Sequence, residues 1–91
     1  MSRAFVGEHD SWGDPGYRIT LPPRDDPGFD AAAAVAILEA ARVGQTGSAE
    51  MATGYYWGEP RLFPAVRAIL EQARARKDER LVELCERWLQ I

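Results

Sequence analysis

The sequence predicts a mainly α fold: four short helices forming two antiparallel helical hairpins, preceded by an extended or β-hairpin-like N-terminal arm. Three observations carry that prediction. Residues 30–43, DAAAAVAILEAARV, hold only Glu39 and Arg42 as charged side chains after the opening Asp30. A helix apolar nearly all round must be covered on several sides. Leu62, Phe63, Val66, Ile69, Leu70 and Ala73 fall at i, i+1, i+4, i+7, i+8 and i+11, a single amphipathic stripe. Residues 1–29, by contrast, contain four glycines and four prolines. The boundary therefore falls between an arm, 1–29, and a helical domain, 30–91.

In the arm, segments 3–6 and 17–21 are candidates for extended chain, as a small hairpin or equally as an irregular arm draped over the alanine helix. Tyr17, Ile19 and Leu21 alternate with Arg18 and Thr20, the pattern of a half-buried strand. Asp14-Pro15-Gly16 is a turn signal between the segments, and Pro22-Pro23 stops any strand. Asp25 and Asp26 belong to a second turn at Pro27-Gly28.

The first helix is expected over 31–43, with Asp30 as N-cap and Gly44 as a left-handed stop. The second is expected over 49–57, capped by Ser48 and weakened by Thr53 and Gly54. The third spans 62–76, with Pro64 in its first turn, where the missing N–H costs nothing. The fourth runs 79–90 behind Asp78, burying Leu81, Leu84, Cys85, Trp88 and Leu89. Residues 33–42 (AAVAILEAAR) and 65–74 (AVRAILEQAR) agree at seven of ten positions, offset by 32. Each is followed by a segment carrying a tryptophan, so 33–57 and 65–88 read as two helical-hairpin repeats. Ala, Leu, Glu and Arg are also the strongest helix formers, which makes agreement between unrelated helices common.

Ninety-one residues form one domain with a small core. The formal charge of -3 is the sum of -5 over 1–60 (4 basic, 9 acidic) and +2 over 61–91 (7 basic, 5 acidic). That balance disfavours nonspecific nucleic-acid binding. The single cysteine, Cys85, rules out an internal disulfide and fits a reducing, cytoplasmic setting. No secretory leader is expected from MSRAFVGEHD, and 31–38 is too short an apolar run to cross a bilayer.

Few residues suggest chemistry. Glu8, His9 and Asp10 form the one acid–imidazole cluster, but a lone histidine in a turn is not a ligand set. No nucleophile elbow or phosphate loop is present, so neither catalysis, a metal nor a cofactor is expected. Cys85 sits on an apolar helix face and reads as a small hydrophobe.

Residues 54–61, GYYWGEPR, are the most unusual stretch. Successive helical side chains point about 100° apart, so Tyr55, Tyr56 and Trp57 cannot all face one core. A structural corner, with some aromatics clamping the arm through Trp12, Tyr17 or Pro22-Pro23, carries the greater weight. As a function, the best candidate is a protein-binding surface of Tyr55, Tyr56, Trp57, Arg61 and Trp12, since Tyr, Trp and Arg dominate binding hot spots. Arg74, Arg76, Lys77 and Arg80 form a basic corner. It suits a helix C-terminus, and is the alternative site for an anionic partner.

The opening MSRAFV, followed by Glu8 and Asp10, resembles the start of short bacterial proteins related to Gre-type transcript-cleavage factors. The resemblance covers the first ten of 91 residues. It implies an association with transcription and carries no residue role, because that family's acidic-tipped coiled coil has no counterpart here. The expected function is thus a small intracellular protein–protein interaction module, with a transcription-associated accessory protein as the alternative. A homodimer is compatible with the small core and surplus aromatics.

Overall fold

A computed structural model describes residues 17–91. Four α-helices account for most of them: α1 Phe29–Arg42, α2 Thr46–Thr53, α3 Phe63–Arg76 and α4 Glu79–Leu89. A 3-10 turn, Pro60–Leu62, leads into α3. No strand occurs among the described residues.

The alanine-rich helix sits at the centre, packing on α2, α3, α4 and the 3-10 turn. Ala33, Ala34, Ile37, Leu38 and Ala40 are fully buried. Among the described residues, Ala31, Val35 and Glu39 recur every four residues on one exposed strip. The remaining pairing is α3 on α4, the most extensive contact between helices, whereas α2 touches α1 alone among them. Val66, Leu70 and Ala73 from α3 meet Leu81, Leu84, Cys85 and Trp88 from α4 in the same core. The two similar segments share part of this burial. Ala34 and Leu38 match Val66 and Leu70 in being buried, while Ala65 and Ile69 are only half-buried where Ala33 and Ile37 are fully so.

The alternation at 17–21 appears in burial, without a strand. Tyr17, Ile19 and Leu21 rest against the core, and Arg18 and Thr20 face solvent. Its expected hairpin partner, 3–6, lies outside the described residues.

Several local expectations hold. Gly44 has φ +73° after α1. Pro64 stands in the first turn of α3. The Asp78 carboxylate accepts from Leu81 N–H at 3.3 Å at the start of α4.

Three expectations about helix ends fail. Asp30 is not the N-cap: α1 begins at Phe29, behind Gly28. Phe29 is buried against Tyr55, at 6.3 Å between ring centroids, and the helix starts two residues earlier than expected. Asp26 then fixes the preceding turn by accepting from Gly28 N–H at 2.7 Å. Ser48 is not an N-cap either, since α2 starts at Thr46 with Gln45 before it. Finally, α2 ends at Thr53 and not at Trp57. Gly54 turns left-handed at φ +80° and donates to the Glu50 carbonyl at 2.8 Å, which terminates the helix.

Candidate functional site

The stop at Gly54 releases Tyr55, Tyr56 and Trp57 from helical geometry. They lie on a loop, 54–59, that polar groups tie down at both ends. Thr53, fully buried, donates from Oγ1 to the Ala49 carbonyl at 2.8 Å and accepts from Tyr55 N–H at 3.1 Å. Arg24, from the segment before α1, donates to the Thr53 carbonyl at 2.8 Å. Its guanidinium lies against the Phe29 ring, 5.0 Å from the centroid, and would be 2.8 Å from a Cβ added at Gly54. The positive φ favours glycine there, and an added Cβ would also displace the end of the Arg24 side chain. Further along, Glu50 accepts from Trp57 N–H at 2.9 Å. Glu59 closes the loop by accepting from Arg61 N–H at 3.2 Å, ahead of the 3-10 turn.

The three aromatics go to three different places. Tyr55 is half-buried on Phe29, and its hydroxyl donates to Asp30 at 2.7 Å. Trp57 is half-buried with its ring 4.9 Å from that of Trp88. The Trp88 indole N–H reaches the Glu59 carbonyl at 3.3 Å, so α4 also holds the loop. Tyr56, between them, is 73% exposed. Arg61 joins the site through Nε to Asp30 at 3.1 Å, while most of its side chain faces water. Asp30 thus binds Tyr55 and Arg61 together. These two hydrogen bonds hold its carboxyl below the usual range, the larger effect being the Tyr55 hydroxyl. The carboxylate in turn raises the Tyr55 phenol and the Arg61 guanidinium above their ordinary values.

Of the proposed binding set, Tyr55, Tyr56, Trp57 and Arg61 come together on one loop and its continuation. Trp12 lies outside the described residues, as do Glu8, His9 and Asp10. Sequence reasoning missed Asp30, Arg24, Glu50 and Glu59 as the groups that shape the loop. The spacing gave no sign of them, because each tie except that of Glu59 spans seven or more residues.

The basic corner is partly neutralised. Arg74 bonds Glu86 at 3.1 Å and Arg80 bonds Glu83 at 2.6 Å. Arg76 and Lys77 are exposed at the end of α3, with no ion pair among the described residues. Lys77 itself forms the left-handed cap at φ +61°. Nearby, Asp78 both caps α4 and bonds Arg42 at the end of α1, joining the two helix ends. Arg42 Nε also lies 2.9 Å from Glu39, near enough for an ion pair but without hydrogen-bond alignment.

Cys85 is buried, and desolvation pushes its thiol up to about 11. It is protonated at neutral pH and cannot serve as a thiolate there. Among the described residues, no three His, Cys, Asp or Glu side chains are grouped to hold a metal ion. No described helix is long and apolar enough to cross a membrane. Comparison with known proteins found no matching family model, curated protein or solved structure.

Proposed function

We propose that this chain is a non-enzymatic interaction module of the cytoplasm, built as two helical hairpins, α1–α2 and α3–α4. Its partner is a protein engaged through Tyr56 and Arg61. The observation that carries this reading is the exposure of Tyr56 on a loop whose neighbours are fixed. An exposed aromatic on a restrained backbone loses little entropy on binding, which is what a hot-spot anchor requires. Tyr55 and Trp57, half-buried on either side, support Tyr56.

The test compares quantitative capture of partners by Tyr56→Ala with that by Met51→Ala, a control that truncates another exposed apolar residue. Loss of a specific partner in the first only, with unchanged melting, supports the site. Identical capture by both variants contradicts it. A transcription-associated role through Arg74, Arg76, Lys77 and Arg80 ranks second, because Arg74 and Arg80 are already engaged by Glu86 and Glu83. Binding that weakens steeply with salt would promote it.

A further inference from the structure

A groove of about 370 Å³ opens between the outer face of α3 and the end of α4. Leu70, Leu89 and Ile91 form its apolar floor, and Arg67, Glu71 and Arg74 its rim. Ile91 is 76% exposed, more than any other large apolar side chain described, yet it is held in place. Its N–H bonds the Glu86 carbonyl at 3.0 Å after the left-handed turn at Gln90, φ +61°.

The charges of the rim are underused. Arg67 makes no ion pair among the described residues, and its guanidinium lies 5.8 Å from the Phe63 ring centroid. Glu71 is 77% exposed and reaches only Arg74, at 3.9 Å, while Arg74 bonds Glu86 more closely at 3.1 Å. Arg67, Arg74 and Glu71 therefore line the groove, and Glu86, just outside the lining, offsets Arg74. A purely anionic ligand would gain little from such a rim. A partner carrying both signs in the opposite order would gain most. The same helix, rotated by a two-fold axis, is such a partner: an isologous pairing sets residue i against j and j against i.

We propose that a second copy of this chain docks over this groove, with the two α3 helices antiparallel and Arg67 opposite Glu71 of the second copy. The axis passes midway between those positions, so one turn of helix supplies both symmetric ion pairs. Ile91 and Leu89 of each copy are covered at the same time. The surface uses none of Tyr55, Tyr56, Trp57 or Arg61, so it stands or falls apart from the partner-binding loop.

Sedimentation equilibrium of the full chain over a range of concentrations tests this. The mass should rise from 10.1 kDa toward twice that value as concentration increases. Arg67→Glu or Glu71→Arg alone sets like charges opposite at both contacts and should weaken association about tenfold or more. The double exchange, Arg67→Glu with Glu71→Arg, restores the pairing and should recover it. Circular dichroism of each variant checks that the fold is intact. A mass that stays at 10.1 kDa up to about 1 mM overturns the proposal. So does a dimer indifferent to both single reversals, or a double exchange that fails to recover association.

Discussion

Helices α2 and α4 are each the second member of a helix pair, and they are held by different means. In α4, eleven residues bury Leu81, Leu84, Cys85 and Trp88 against α3 and α1, behind the Asp78 cap. In α2, eight residues bury only Ala49 and Thr53, with no side-chain cap, and pack on α1 alone among the helices. An isolated helix of that length is unstable in water. Arg24, Thr53 and Glu50 supply what packing does not, by tying the end of α2 to the segment before α1 and to the aromatic loop. The proposed recognition surface is thus carried by the part of the molecule that is held in place by polar ties.

The comparison is broken most severely at Trp88, the residue that joins both regions. It is 1% exposed, packs on Trp57 and donates to Glu59. Trp88→Ala should destabilise the chain by about 3–5 kcal/mol, read from the urea midpoint, and should release the aromatic loop as well as α4. Gly54→Ala should cost less, about 1–2 kcal/mol for a left-handed alanine, plus displacement of Arg24. Its effect is selective: amide protection falls in α2 while α3 and α4 keep theirs.

Acid separates the two regions further. Asp78 and Asp30 both titrate below their ordinary values in the folded chain, Asp78 chiefly through Arg42 and Asp30 chiefly through Tyr55. Groups depressed in this way contribute stability that is full above the unfolded value. It is lost as pH falls from about 4 through the lower folded values. Thermal midpoints measured from neutral pH to pH about 2 should therefore decline, and less steeply in Asp78→Asn and Asp30→Asn. Of the two, only Asp30→Asn should alter the tyrosine fluorescence of the loop in advance of unfolding. Cys85 reports on the α4 side alone. Its alkylation at neutral pH should be slow and limited by opening of the core. Reaction as fast as that of a free thiol would contradict its burial. The smallest effect is expected for Tyr56→Ala, whose melting should match the parent within about 0.5 kcal/mol.

What was legible in the sequence follows the same division. The stripe of α3, Pro64 in its first turn, Asp78 as the cap and the apolar face of α4 are all encoded within a few residues of where they act. The central place of the alanine helix was also legible, because its lack of a polar face demands several neighbours. The end of α2 was not. Gly54 was visible as a helix weakener, but the tie from Arg24 to the last carbonyl of α2, from twenty-nine positions earlier, was not. Asp30 was likewise read as a cap, since nothing in its neighbourhood signals Tyr55 or Arg61. For the site, Tyr56 follows from the principle that three consecutive aromatics cannot share one core. Which of the three would be exposed depended on Phe29 and Trp88, residues distant in the chain. The similarity between 33–42 and 65–74 is matched in burial only in part, at Ala34 and Leu38 against Val66 and Leu70.

Residue-resolved amide hydrogen exchange on the native chain tests this division most directly. The account predicts that amides of α3 and α4 are protected near the global unfolding limit, whereas those of α2 and residues 55–59 open more readily. Protection of α2 equal to that of α4 would show that the polar ties are not its main support, and would contradict the account.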